Sequence, residues 1–233
     1  MVNLRRNFRL GTVGSVALVA LLLTGCDLND DSASQPIPLS YVTLFNAVPN
    51  APKLDVIVDN RQINSWPFEF GDNTGYLNFY TGNREIKFTP DGANNVVADT
   101  TVTLVDGNVY SMFVVDEIAK AGILITNDST AVPGDGKTKI RLVNLSPDSS
   151  PVTLKIKDDA NNLVSDQGFK SASAFVELDP KNYNFDITSA GGEPIHLTSV
   201  DLPVGTAHTI VVRGYKSPPA GNTNLVSASI VRN

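Results

Sequence analysis

One pattern occurs twice in this chain, and that limits what it can fold into. Leu44-Phe45-Asn46-Ala47-Val48-Pro49 returns as Leu142-Val143-Asn144-Leu145-Ser146-Pro147, with both the Asn and the Pro displaced by 98 residues. At the same offset Leu54, Val56 and Val58 become Val152, Leu154 and Ile156, Leu104 becomes Leu202, and Gly107 becomes Gly205. Met112-Phe113-Val114 likewise becomes Ile210-Val211-Val212, while Tyr76 and Phe79 reappear 99 residues later as Phe175 and Leu178. An offset that recovers after a one-residue insertion is a duplication. In 233 residues it leaves two units, each long enough for its own core.

The local pattern within each unit is that of strands and turns. Tyr41, Thr43 and Phe45 alternate with Val42 and Leu44, a strand with apolar side chains on both faces. Leu54, Val56 and Val58 alternate with Asp55, Ile57 and Asp59 as a half-buried strand. Pro49 and Pro52 mark the crossing between them. Asp59-Asn60, Gly71-Asp72-Asn73, Thr81-Gly82-Asn83, Pro90-Asp91-Gly92 and Asp106-Gly107-Asn108 punctuate the rest as turns. About seven short strands per unit, without an amphipathic helix, predict an all-β fold of sandwich type.

The N-terminus carries an address. Arg5, Arg6 and Arg9 precede an apolar run from Leu10 to Leu23 and the small pair Thr24-Gly25, the layout of a secretory signal peptide. The run is shorter than the roughly 20 residues a membrane span needs. Leu23-Thr24-Gly25-Cys26 resembles the bacterial lipobox, which implies cleavage before Cys26 and its acylation. Cys26 is the only cysteine, so no intramolecular disulfide competes for it. Two or three acyl chains anchor a protein firmly. Asp27 resembles an inner-membrane retention signal of enterobacteria, whereas the run Asp27, Asp30, Asp31 resembles a surface-export signal of other lineages; both destinations stay open. Removing the three arginines takes the net charge from −6 to −9, which excludes nucleic acid as a partner.

The expected organisation is a signal peptide at 1–25, a lipidated cysteine and flexible tether at 26–40, and a first β-sandwich at 41–126. An exposed linker at 127–138 and a second β-sandwich at 139–233 follow. Asn-x-x-Pro after a strand, an alternating apolar strand, and an aromatic strand ending in a glycine turn resemble the bacterial domain of unknown function 4397 family. The resemblance implies two tandem immunoglobulin-like antiparallel β-sandwiches, secreted or lipid-anchored, with no established activity. Departures at Asn50-Ala51-Pro52, at Asp148-Ser149-Ser150 and at Lys181-Asn182, which replaces the Gly82 turn, argue against one ligand shared by both copies.

Chemistry-bearing residues are sparse. His196 and His208 are the only histidines, and position 208 matches Tyr110 in the first copy. A Ser–His–Asp site using His208 with Asp201 is the one hydrolytic arrangement to consider, and no catalytic residues are assigned. Asp158-Asp159-Ala160-Asn161-Asn162 has oxygen ligands but not the spacing of a calcium loop; no metal and no cofactor are expected. The aromatic set is Trp66, Phe68, Phe70, Tyr76, Phe79 and Tyr80, and from it Trp66, Phe68, Tyr76 and Tyr80 are the candidate ligand surface, able to stack on a sugar ring or to anchor an envelope protein. The alternative is that these rings fill the space between sheets. Asn46 and Asn144 are expected to hold the turn before the proline through side-chain bonds to backbone. The chain therefore reads as a lipid-anchored cell-envelope binding or scaffolding module, with a carbohydrate-binding surface protein as the alternative and a hydrolase third.

Blocking lipoprotein signal peptidase, or replacing Cys26 with serine, is expected to leave an uncleaved precursor on a gel. Normal maturation under the block would remove the anchor from this reading.

Overall fold

The computed structural model describes residues 36–233; the expected signal peptide, Cys26 and all but the end of the expected tether lie outside the described residues. The first copy contains β1 (Leu39–Ala47), β2 (Leu54–Val58), β3 (Arg61–Gln62), β4 (Leu77–Tyr80), β5 (Gly82–Pro90), β6 (Ala98–Leu104), β7 (Val109–Val115) and β8 (Gly122–Asn127). The second contains β9 (Thr138–Asn144), β10 (Val152–Ile156), β11 (Asn162–Gln167), β12 (Ser171–Ala172), β13 (Val176–Leu178), β14 (Lys181–Ser189), β15 (Ile195–Leu202), β16 (Ala207–Arg213) and β17 (Ser227–Arg232). The first strand starts at Leu39, two residues inside the stretch expected to be tether.

Each copy is a sandwich of two sheets. In the first, an outer sheet of order β3-β2-β5-β6 faces an inner sheet of order β4-β1-β7-β8. In the second, the outer order is β11-β10-β14-β15 and the inner order is β12-β9-β16-β17, with β13 also on β9. The all-β expectation holds, with one departure in each copy from purely antiparallel strand pairing: β1 runs parallel to β7, and β9 parallel to β16. Each pair can be parallel because the chain travels through the opposite sheet between its members, supplying the long crossover that parallel strands require. The paired turns at Gly107 and Gly205 both sit at φ 72°, a left-handed conformation that glycine adopts without steric cost.

Alternation along the inner strands explains their near-continuous apolar sequences. Val42, Leu44, Tyr110, Met112 and Val114 turn towards the outer sheet and join Leu54, Val56, Ile86, Phe88 and Leu104 in one core. Ile140, Leu142, Ile210 and Val212 do the same in the second copy, with Leu154, Phe185, Ile187 and Leu202. The opposite faces are also buried. Phe45, Ala47, Phe113 and Val115 pack against Val143, Leu145 and Val211, so that a third core joins the copies face to face. The sheets therefore stack in four layers, outer, inner, inner, outer. The contact is built from equivalent positions, since Phe45, Ala47 and Phe113 correspond to Val143, Leu145 and Val211 at the 98-residue offset. Phe45 and Phe113, directly paired across the parallel ladder, stack with ring centroids 4.9 Å apart.

A buried polar network crosses the same contact. Asp128, at the end of β8, accepts from Ser111 Oγ at 2.5 Å and from Tyr76 OH at 2.9 Å on one oxygen. On the other it accepts from Thr126 Oγ1 at 2.9 Å and pairs with Arg141 Nη1 of the second copy at 2.7 Å. Asn233 donates to both Tyr76 OH and Asp128, and its own oxygen accepts from Thr209 Oγ1 at 2.7 Å. Both charged side chains are buried, at 3% exposure for Arg141 and 0% for Asp128. Composition alone marks 127–138 as exposed linker, and Asp128 corrects that: the second residue of the segment is the buried acid that ties the copies together.

Asp128→Ala strands the Arg141 cation and is expected to destabilise the protein by about 3–5 kcal/mol, while the apolar pair Asp128→Leu with Arg141→Met recovers most or all of that loss. Denaturant titration of the three chains measures this, and equal stability of Asp128→Ala and the parent would contradict it. The hydroxyls of Tyr76 and Tyr215 are both pushed up to about 12, chiefly by burial and then by the neighbouring Asp128 and Glu117 carboxylates. The folded state thus holds both protons where the unfolded chain has released them, so stability falls as pH rises from 10 towards 12. Tyr76→Phe is expected to flatten that fall, measured by melting temperature across the alkaline range.

Candidate functional site

The turn Asp59-Asn60 places both residues at positive φ, 47° and 62°, the conformation of a tight hairpin between β2 and β3. Asp59 then closes the corner. One oxygen accepts from the Glu85 backbone N–H at 3.0 Å and the other from Arg84 Nη1 at 2.9 Å. These two contacts, the backbone one first, hold its carboxyl below the usual carboxylate range. Arg84 also donates through Nε to the Tyr80 carbonyl at 2.8 Å and through Nη2 to the Thr81 carbonyl at 2.6 Å. One guanidinium thereby ties the β2–β3 turn of the outer sheet to the end of β4 in the inner sheet.

Between those two sheet edges lies an open groove of about 530 Å³. Val58, Arg61, Gln62 and Ile63 form one wall, and Leu77, Asn78, Phe79 and Tyr80 form the other. Tyr80 is 62% exposed, the groove's most accessible large apolar side chain, and Ile63 is partly exposed beside it. Both walls are edge strands, β3 and β4, whose outer backbone edges pair with no other strand of their sheets.

The aromatic set expected from sequence is dispersed. Phe68 is fully buried and stacks on Phe88 at 6.3 Å, so it is core and not a ligand contact. Tyr76 is half-buried and belongs to the Asp128 network. Trp66 is 43% exposed but lines no part of the groove; its carbonyl accepts from Asn64 Nδ2 at 2.9 Å. Of the four candidate ligand residues only Tyr80 meets the groove, beside the buried Phe79. Phe70 lies under Arg213, whose Cζ is 5.8 Å from the ring centroid. Sequence reasoning missed Ile63, Leu77 and Arg61 because no periodic pattern links a two-residue edge strand to a partner in another sheet.

The Asn-x-x-Pro residues serve the fold. Asn46 Oδ1 accepts from Val48 N at 3.1 Å and Nδ2 donates to the Phe68 carbonyl at 3.0 Å. Asn144 repeats this on Ser146 N at 3.1 Å and the Gln167 carbonyl at 3.1 Å. Pro49 O additionally accepts from Asn222 and Asn224 of the second copy, at 2.9 and 2.7 Å.

His208 is buried on β16, its Nδ1 without a hydrogen-bond partner, and desolvation, reinforced by Arg232, pushes its pKa down. No hydrogen bond or ion pair joins it to Asp201 among the described residues. The histidine that does meet a carboxylate is His196, with Nδ1 2.6 Å from Asp186 Oδ1 across the β14–β15 ladder; it is solvent-exposed and lines no part of the groove. Asp159 Oδ1 accepts from the Asn161 N–H at 2.9 Å, the bond of a strand-to-strand turn. Among the described residues no group of three or more His, Cys, Asp or Glu is arranged to hold a metal.

None of the curated proteins matches this chain. Among solved structures, a family 26 carbohydrate-binding module of Eubacterium rectale Amy13K, solved with maltoheptaose, aligns at 10% identity and TM-score 0.28, over 83% of this chain and 97% of that one. A streptococcal virulence factor described for α-glucan binding aligns at 11% identity and TM-score 0.24, over 74% and 92%. A proposed cell adhesion protein of Bacteroides uniformis aligns at 9% identity and TM-score 0.26, over 84% and 98%. The family model described as domain of unknown function DUF4397 matches residues 40–155, which span the first sandwich and the start of the second, and by that match this part of the chain belongs to the DUF4397 family.

Proposed function

We propose that this chain is a non-catalytic binding module of the bacterial cell envelope, held to a membrane through acylated Cys26, and that its ligand is a polysaccharide seated in the β3–β4 groove. The observation that carries the reading is Tyr80. Its exposed ring lines the groove together with the apolar side chains of Ile63 and Leu77 and the polar ones of Arg61, Gln62 and Asn78. A sugar ring presents an apolar face edged by hydroxyl groups. It fits a flat aromatic surface flanked by planar donors and acceptors.

Catalysis finds less support. His208 is kept neutral inside an inner sheet, and the His196–Asp186 pair lies on an outer-sheet ladder away from the groove. The lipid anchor rests on the lipobox-like Leu23-Thr24-Gly25-Cys26, outside the described residues. The groove is preferred to Trp66 as the carbohydrate surface because Trp66 lines no part of it, whereas Tyr80 shares it with the residues of the β3 wall.

Maltoheptaose, cellohexaose and chitohexaose, titrated by calorimetry into the full chain, form the test. At least one is expected to bind, with Tyr80→Ala weakening it about tenfold or more and Trp66→Ala leaving it unchanged. Binding that depends on Trp66 and not on Tyr80 would move the site off the groove. An absence of binding by all three would overturn the polysaccharide reading.

A further inference from the structure

The Arg141 guanidinium uses two of its three nitrogens. Nε donates to Thr209 Oγ1 at 2.9 Å, and Nη1 meets Asp128 Oδ1 at 2.7 Å. Nη2 is buried without any hydrogen-bond partner. Phe175 covers the planar face of the group, with Cζ 4.6 Å from the ring centroid. Stacking of that kind leaves the in-plane N–H hydrogens of Nη2 free to meet an acceptor. A buried donor left unmatched is costly, and structures normally fill such a position with a partner.

Arg141 lines a cleft of about 470 Å³ beside the contact between the two copies, together with Asn127, Thr130, Lys139 and Phe175. Lys139 lies two residues before Arg141 on β9, so both side chains leave the same face of the strand. The residues lining the cleft include two cations and no carboxylate. The acids nearest to them act from outside: Asp128 on Arg141, and Glu177 on Lys139 at 3.8 Å. Lys139 Nζ also donates to the Thr130 carbonyl at 3.1 Å. At the 98-residue offset the first copy has Tyr41 and Thr43 in place of Lys139 and Arg141, so this pair of cations belongs to the second copy alone.

We propose that the cleft binds a small oxyanion, a carboxylate or phosphate group, with Arg141 Nη2 as the buried donor and Lys139 Nζ as the second cation. Both chemistries offer an oxygen that accepts from guanidinium and ammonium together, the arrangement in which charge-assisted hydrogen bonds are strongest. The site is separate from the β3–β4 groove and stands or falls independently of it.

The test titrates the full chain with sodium phosphate, sodium glucuronate and, as a control, sodium chloride at matched ionic strength, following the Arg141 Nε–H resonance. A saturable shift with phosphate or glucuronate, absent with chloride, is expected. Lys139→Gln should weaken it about tenfold, and Lys139→Arg should retain it. Tighter binding of phosphate assigns a phosphorylated ligand, and tighter binding of glucuronate a uronic acid. No saturable shift with either anion overturns the proposal, as does a shift whose affinity is the same in Lys139→Gln. Because Lys139 is not part of the Asp128 network, its replacement tests the cleft without dismantling the contact between the copies.

Discussion

The face-to-face burial of the two inner sheets is the constraint on which the rest of this structure depends. A sandwich normally buries one face of each sheet and leaves the other to water. Here β1 and β7 carry apolar side chains on both faces, and so do β9 and β16. A single copy would present Phe45, Phe113 and Val115 to solvent as a contiguous patch of the kind that marks an interaction surface. Duplication supplies the matching surface within the same chain. The contact follows the logic of a twofold dimer in which one patch meets its own equivalent. The covalent link makes that partner permanent.

A self-complementary apolar face has a weakness, because similar side chains can meet at more than one offset. The Asp128–Arg141 pair answers it physically. Each charge is buried, and each has partners from both copies, so any slipped arrangement would leave a buried ion without its counter-ion. Its worth lies less in added stability than in the cost it imposes on alternatives. The two residues are not equivalent: Arg141 replaces Thr43, whose hydroxyl is buried without a partner. The duplication created the contact, and divergence between the copies fixed its register.

Much of the fold was legible in the chain, for definite reasons. Alternation in Leu54–Val58 and Val152–Ile156 placed both strands, because burial on one face leaves a period-two signature. The turns at Asp59-Asn60 and Gly107 were visible because their backbone conformations demand those residue types. Layer order was not legible. Apolar residues on both faces of β1 were read correctly as local pattern, yet nothing local names the sheet that covers the second face. Asp128 was hidden inside a polar stretch whose composition resembles linker. Arg141 did leave a trace, a charge set within the apolar run Ile140 to Val143, which is the sequence mark of a buried ion awaiting a partner. Phe68 misled because an aromatic residue on an irregular segment has no periodicity to say which way it points.

The two copies also show where sequence is free to acquire new roles. Positions facing a core are held by volume, so Leu104 and Leu202 stay the same, and Met112 is exchanged only for Ile210. Positions at sheet edges have no such demand. Tyr80 opens onto a groove, whereas Asp179, 99 residues later, holds Lys137 in an exposed ion pair at 2.7 Å. Edge strands β3 and β4 therefore offer surface that the scaffold does not need, positioned by a scaffold that cannot easily move. The Arg84 clamp adds the remaining requirement, since it fixes the two groove walls to each other with donors that no ligand has to supply. A groove held in this way gives up little conformational freedom on binding, which favours recognition by a shallow, open surface.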